Sequence, residues 1–301
     1  MSLSLLTVMW GDYHIGLFEQ ACFRSLMWPK NKEALKRQQA HWTIFTDSKK
    51  YSERLEKLFE GSGVSLVVRD ESELRDRIDP IQAALIWQIE KCLYHENRLL
   101  LAPPDTVFGD GSVQALLEIG ADKGSCVVVP HPRVHPALLT ELDEGTSNAD
   151  LVYLAWQHLH RSWKDAESGC ERQNSYIGGV SWRRLDADTM AITHRLPTVY
   201  LADFTAEDLE YFKTRISFGA YDHEWPGDIL LPRERQRFVG SSDGAFIVEI
   251  TEELKNVPPF NPSHPREGFW KNHAHNRINR GIVSIFRASS PKAQSLRLEA
   301  P

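Results

Sequence analysis

The feature that most constrains the fold is an alternation of short apolar runs with helical patterns over the first 130 residues. Five runs have the length and composition of buried strands: residues 3–10, 41–45, 64–68, 98–101 and 126–129. Helical patterns separate them at residues 15–27, 49–60, 81–94 and 113–119. This order predicts an α/β fold with a mostly parallel, twisted, Rossmann-like sheet and helices on both faces.

The second half of the chain is less regular. Helical patterns occur at residues 150–163 and 206–213, and strand patterns at 190–200 and 246–250. A proline-containing stretch then leads into a tail rich in His and Arg, and the last residues are polar. Without a clear linker, we expect one globule with an irregular C-terminal elaboration, divided into residues 1–140, 141–288 and a loose tail at 289–301.

Composition excludes several classes of function. The formal net charge of -6 disfavours nucleic acid as a partner, because such proteins need a basic surface. The four cysteines are scattered without a CxxC pair, which favours a reducing compartment and hence the cytoplasm. The first apolar run is too short for a signal peptide or a transmembrane segment, so we expect any membrane contact to be peripheral.

Charged residues follow the predicted strands of the first half. Asp12, Asp47, Asp105 and Arg133 each come shortly after the end of an apolar run. In open parallel sheets, ligands bind outside the carboxyl ends of the strands, so we expect a binding site at this edge. No GxGxxG or GxxxxGK[ST] pattern occurs, so a dinucleotide or P-loop site has no support.

One segment, RLLLAPPDTVFGDGSVQALL at residues 98–117, resembles the GT-A type of glycosyltransferase. In that family an apolar strand ends in an Asp-x-Asp motif that holds a divalent cation, Mn²⁺ or Mg²⁺, on the donor's diphosphate. Asp105 stands at the place of the second Asp, and Pro103 stands at the place of the first. The resemblance implies that Asp105 binds metal or donor, and we expect Asp110 to cap the helix that follows it.

The resemblance also implies that the end of the first strand cradles the nucleotide. Here that segment contains Trp10, Gly11, Asp12 and Tyr13, and Asp47 matches an acidic contact at the end of the second strand. An aromatic ring on a base and a carboxylate on ribose suit such a ligand. Gly-Asp and Asp-Ser also commonly form turns, so an interpretation of both segments as plain turns at strand ends stays open.

A second candidate constellation is RISFGAYDHEWPGD at residues 215–228. Transfer to a hydroxyl requires a base, and Asp222 is our first candidate, with Glu224 as the second. A third segment, residues 233–244, carries Arg237, which with Arg133 is predicted to neutralise the diphosphate. Both segments also have the composition of solvated surface loops.

Histidines supply the remaining candidate metal ligands. In some GT-A enzymes a late histidine completes the metal site, and the resemblance gives that role to His273 or His275. Three tryptophans, Trp156, Trp163 and Trp182, are predicted to lie in the core rather than to form sugar platforms.

Together these patterns favour a glycosyltransferase that uses a nucleotide-sugar donor and a glycan or other hydroxyl acceptor, in surface glycan or lipopolysaccharide assembly. Residues 1–140 would then bind the nucleotide-sugar, and residues 141–288 the acceptor. One alternative is a metal-dependent hydrolase or phosphoesterase built on Asp222, His223, Glu224 and the tail histidines. Another is a non-catalytic GT-A-like binding protein, in keeping with the missing first Asp of the motif.

Overall fold

A computed structural model describes residues 2–74, 79–160, 163, 180–186, 188–194, 198–214, 233–252 and 282–288. Its strands are β1 (Leu3–Val8), β2 (His41–Thr46), β3 (Ser65–Asp70), β4 (Arg98–Leu101), β5 (Thr106–Phe108), β6 (Cys126–Val129), β7 (Arg133–Val134), β8 (Val180–Arg184), β9 (Thr189–His194), β10 (Thr198–Ala202), β11 (Gln236–Phe238), β12 (Ile247–Ile250) and β13 (Ile282–Arg287). Its helices are α1 (Gly11–Leu17), α2 (Arg24–Leu26), α3 (Pro29–Arg37), α4 (Ser48–Phe59), α5 (Pro80–His95), α6 (Ser112–Ile119), α7 (Asn148–Gln157) and α8 (Ala206–Thr214).

The central sheet of the described chain has seven strands in the order β11-β6-β10-β4-β1-β2-β3. Strands β1, β2, β3 and β4 are parallel, as are β6 and β11. Strand β10 lies between β4 and β6 and is antiparallel to both, so β4 and β6 run in the same direction. The predicted mostly parallel sheet is confirmed, and all five strands expected in the first half belong to it.

Helices cover both faces of this sheet. On one face Trp42 of β2 packs against Phe18, Phe23 and Phe59, with ring centroids 5.3 to 6.1 Å from the indole. On the other face Phe45 of the same strand meets Trp87 of α5. Successive side chains of a strand point to opposite faces, so a strand buried on both sides is a continuous apolar run. This is why the pattern of the first half predicted the sheet.

Several predictions about helices differ from the structure, and the helix expected over residues 150–163, for example, is α7, which ends at Gln157. The first helical stretch was expected over residues 15–27 but begins at Gly11, and a π-helical segment (Phe18–Phe23) connects α1 to α2. Asp110 was expected to cap the helix that follows it, and this is wrong. Its carboxylate accepts hydrogen bonds from the backbone N–H groups of Lys30 and Asn31, at 2.9 and 3.1 Å, and therefore caps α3.

Two smaller sheets complete the described chain. Strands β5, β12 and β7 form one, with β12 in the middle, and β13, β9 and β8 form an antiparallel one. With α7 they enclose a second apolar core, in which Trp163 and Trp182 are buried and Trp156 is half-buried, as predicted. None of the helices in the described ranges is both long and apolar enough to cross a membrane.

Candidate functional site

The candidate site lies at the carboxyl edge of the central sheet. Strands β1, β2, β4 and β6 run in the same direction, so the segments that follow them leave the sheet along one edge. Asp12, Asp47, Asp105 and Arg133 belong to those segments. This is the edge at which open α/β sheets bind ligands.

A tight turn positions Asp105 after β4. The backbone N–H and the hydroxyl of Thr106 both donate to the carbonyl of Pro103, at 3.3 and 2.7 Å, which closes a turn over Pro104 and Asp105. Pro104 suits the second position of such a turn because its ring fixes φ near -65°. Pro103, which stands at the place of a missing Asp, therefore supplies the carbonyl on which the turn closes.

Burial and a neighbouring carboxylate raise the pKa of Asp105. Removal from water and the negative charge of Glu249 raise its pKa from the ordinary 3.8 to about 6, against smaller opposing effects of a backbone hydrogen bond and of His131 and His14. A half-buried carboxyl with a raised pKa at the carboxyl edge of a sheet is a typical functional-site residue. It is also a group whose ionised form a bound cation would stabilise.

Glu249 lies beside Asp105, although sequence analysis did not single it out. The small sheet places Thr106 of β5, Glu249 of β12 and Arg133 of β7 in one cross-strand row. The backbone N–H of Ile250 donates to the carbonyl of Asp105 at 2.7 Å. Residues directly opposite in a sheet share a face, so this row brings together side chains more than 100 positions apart.

The carboxylate of Glu249 contacts two basic side chains. Its Oε2 lies 3.1 Å from Nε2 of His131, and its Oε1 lies 3.0 Å from Nε of Arg133. Burial alone would raise the pKa of Glu249, but the hydrogen bond and charge of His131, the charge of Arg133 and a hydrogen bond from Thr251 lower it to about 2. Glu249 is therefore ionised at neutral pH and acts as a hydrogen-bond acceptor.

The segment after β1, which leads into the first turn of α1, adds exposed aromatic rings to the same edge. Trp10 and Tyr13 are 43% and 49% exposed, and His14 packs edge-on against Tyr13 at 5.3 Å. Burial, a hydrogen bond and charge from Glu252, and the charge of Asp105 raise the pKa of Tyr13, which places its hydroxyl near both carboxylates. Gly11 has a φ of +76°, a conformation that favours glycine at the start of α1.

Two predicted donor-binding carboxylates have local partners on α4. Asp12 accepts hydrogen bonds from Nζ of Lys50 at 3.0 Å and from the hydroxyl of Tyr51 at 2.8 Å, and these bonds lower its pKa. Asp47 is the N-cap of α4, where it accepts from the backbone N–H of Lys50. Within the described chain, both carboxylates are bonded to α4 and not to the Asp105 cluster.

The remaining predicted residues lie elsewhere. Arg237 pairs with Asp122, at 2.7 Å, in the segment that precedes β6, so its guanidinium lies toward the amino edge of the sheet and away from Asp105. The candidate base residues and histidine ligands fall outside the described residues: Asp222, Glu224, His273 and His275.

Asp105 has the chemistry to hold a divalent cation together with a substrate. No group of three or more His, Cys, Asp or Glu side chains in the described ranges is arranged to enclose a metal ion. Mg²⁺, however, is commonly held by one or two carboxylates together with substrate phosphates and water. A single half-buried carboxylate beside an open edge fits that mode, and it does not fit a closed structural metal site.

Comparisons with known proteins give structural likenesses only. No known protein family matches the sequence, and no curated protein matches it either. Mouse xyloside xylosyltransferase 1 has 11% identity and a TM-score of 0.34, over 46% of this chain and 55% of that protein. The TarS fragment 1–349 of S. aureus, solved with UDP-GlcNAc, has 12% identity and a TM-score of 0.28, over 45% and 36%.

A third similar structure covers more of the chain. It is described as a glucose-1-phosphate thymidylyltransferase of Bacillus anthracis, solved with sucrose, and has 15% identity and a TM-score of 0.38, over 79% of this chain and 86% of that protein. The matches thus span about half of the xylosyltransferase and about a third of TarS. The solved structures to which the chain is similar include glycosyltransferases and a nucleotidyltransferase.

Proposed function

We propose that this chain transfers a sugar from a nucleotide-sugar donor to a hydroxyl acceptor of a surface glycan or lipopolysaccharide. The observation that carries the proposal is the cluster around Asp105 at the carboxyl edge of the sheet. It combines a half-buried carboxyl of raised pKa, the His131–Glu249–Arg133 group and exposed aromatic rings within one edge. Such groups suit the three parts of the donor, which are a nucleobase, a diphosphate and a sugar.

Each part of the cluster suits one part of the donor. Trp10 and Tyr13 present ring faces on which a nucleobase can stack. Arg133 carries terminal N–H donors that match phosphate oxygens, and it is 37% exposed. Stabilising the charge that develops on the departing diphosphate lowers the barrier most when the donors are already in place.

We assign the cation, Mn²⁺ or Mg²⁺, to Asp105. When bound, such an ion neutralises the diphosphate as a Lewis acid. Asp105 would hold it from the turn after β4, with the phosphate oxygens as further ligands. Asp222, with Glu224 as the alternative, remains our proposal for the base, and His273 or His275 for a further metal ligand.

A ligand screen tests this function. Thermal unfolding is measured with nucleoside diphosphates and nucleotide-sugars, including UDP and UDP-GlcNAc, with and without Mn²⁺. A ligand at about a hundred times its dissociation constant adds roughly 2.7 kcal/mol of stability. For a domain of this size that corresponds to a rise of roughly 5 °C in the midpoint. The best donor is then incubated with glycan acceptors, and release of the nucleoside diphosphate is followed.

Asp105→Asn is expected to abolish the Mn²⁺-dependent part of the shift. Asp122→Asn is the control, because it makes the same substitution at an aspartate that pairs with Arg237 toward the opposite edge of the sheet. Absence of a shift with every nucleotide, in the presence of Mn²⁺, would contradict the proposal. Tight binding of metal without any nucleotide would instead support the hydrolase alternative.

A further inference from the structure

The position of Glu249 is fixed by the backbone on both sides. Strand β12 is the middle strand of the small sheet, and its register places Glu249 opposite Thr106 on one side and Arg133 on the other. The backbone N–H of Glu249 donates to the carbonyl of Pro132 at 2.9 Å, between the two basic residues of that segment. The backbone of Glu249 is therefore held next to the segment that carries His131 and Arg133.

The contacts of Glu249 use one nitrogen of each basic side chain. His131 uses Nε2, and its ring also packs edge-on against Tyr200 at a centroid distance of 5.6 Å. Because an ionised carboxylate only accepts hydrogen bonds, the proton of a neutral His131 ring must lie on Nε2. Nδ1 of the same ring then carries a lone pair and is a hydrogen-bond acceptor.

Arg133 is held in a comparable way. Its Nε contacts Glu249, and a guanidinium has two further nitrogens, Nη1 and Nη2, with four N–H donors in its plane. The side chains of Glu249 and His131 are only 18% and 14% exposed, whereas Arg133 is 37% exposed. The carboxylate is thus the inner part of the group, and the guanidinium reaches toward solvent.

We propose that Glu249 is a positioning residue for the donor: by accepting the Nε2–H of the neutral His131 ring it leaves Nδ1 to accept a hydrogen bond from a donor-sugar hydroxyl, and it directs the terminal nitrogens of Arg133 to the diphosphate. The proposal rests on the proposed function and extends it to recognition of the sugar. A nucleotide-sugar would bind both Nδ1 of His131, through its sugar, and Arg133, through its diphosphate. A free nucleoside diphosphate would bind Arg133 alone, so the pair distinguishes the two ligands. Preorganised groups also lose less entropy on binding.

Glu249→Gln is the decisive variant, because glutamine has the same shape but its amide can donate a hydrogen bond to His131. We expect the ring to change its tautomer, with the proton moving from Nε2 to Nδ1. Long-range ¹H–¹⁵N correlation spectra report the tautomer directly, with His131 assigned through His131→Gln. Glu249→Asp keeps the charge and is expected to retain the wild-type tautomer, and Asp122→Asn is expected to leave it unchanged. Far-UV circular dichroism confirms that each variant is folded.

Calorimetric titration with UDP and with UDP-GlcNAc in Mn²⁺ provides the second readout. We expect Glu249→Gln to weaken UDP-GlcNAc binding about tenfold and UDP binding by less. An unchanged His131 tautomer in folded Glu249→Gln, or equal weakening of both ligands, would overturn the positioning role. If the wild-type protein binds no nucleotide, that result contradicts the proposed function instead. The NMR measurement still decides whether Glu249 determines the tautomer of the His131 ring.

Discussion

The hydroxyl of Thr7 donates a 2.6 Å hydrogen bond to the carbonyl of Ala102, where β4 leaves the sheet one residue before the turn of Asp105 begins. The same hydroxyl accepts a hydrogen bond from the indole N–H of Trp42 at 2.9 Å. The thiol of Cys22 lies 3.7 Å from the same carbonyl. Residues of β1, β2 and the π-helical segment thus meet the residue after β4 beneath the turn of the candidate site.

Thr7→Val should destabilise the protein, because it leaves the buried N–H of Trp42 and the carbonyl of Ala102 without this partner. Such losses cost about 1–3 kcal/mol each. We expect the free energy of unfolding in urea to fall by about 2 kcal/mol. Thr46→Val is the control, since the buried hydroxyl of Thr46 has no hydrogen-bond partner among the described residues. Equal losses in both variants would show that the Thr7 bonds contribute nothing.

Asn31→Ala should be more damaging than a typical surface change. The side-chain amide of this fully buried residue donates to the carbonyls of Ser25 and Gly109 and accepts from the N–H groups of Gly111 and Val113. Breaking such a network costs about 3 kcal/mol or more.

Chemical denaturation measures the effect of Asn31→Ala. Glu33→Ala, whose side chain is 61% exposed on α3, is the control and is expected to change stability by less than about 0.5 kcal/mol. A similarly small change in Asn31→Ala would mean that the network does not hold α3 against the 109–113 segment.

Asp105 should make stability depend on pH. Its folded pKa of about 6 lies above its ordinary 3.8, so the folded protein binds the proton more tightly than the unfolded chain. The resulting stabilisation is complete below about pH 4 and is lost as the pH rises through 6. At pH 8, Asp105→Asn should therefore raise the free energy of unfolding by about 1–3 kcal/mol, while donor binding falls.

Urea denaturation at pH 4.5 and pH 8 checks the effect of Asp105. Glu249 affects stability in the opposite direction. Its folded pKa of about 2 lies below its ordinary 4.5, so its stabilising contribution is present above about pH 4.5 and is lost at lower pH. Glu249→Gln should thus lower stability at pH 8. Loss of stability in Asp105→Asn at pH 8 would contradict the burial assigned to this carboxyl.

Much of the central sheet was predictable because its signals are local. Strands β4 and β6 begin and end where their apolar runs do, since turn-forming or polar residues bound each run. The place of β10 was not predictable in this way. Residues 190–200 have strand character, but nothing in them specifies insertion between β4 and β6, about 70 to 100 positions earlier. Long-range pairing depends on the whole fold and not on one segment.

The candidate site was also only partly predictable from the sequence, for the same reason. Asp105 was predicted because it comes shortly after a buried strand, at the place of the motif's second Asp, and the structure places it in the turn that follows β4. Glu249 was missed because its role depends on a register that joins residues 106, 133 and 249. One signal was nonetheless present: Glu249 interrupts the otherwise apolar strand IVEI, and a charged residue in a buried strand needs a partner.

Hydrogen–deuterium exchange with and without the best nucleoside diphosphate and Mn²⁺ tests most directly where the ligand binds. We predict that saturating ligand slows exchange in three segments, residues 9–14, 103–106 and 131–134, which come together only at the carboxyl edge of the sheet. Asp105→Asn should lose this protection, and Asp122→Asn should keep it. Protection confined to other segments, with these three unchanged in the wild-type protein, would contradict the site.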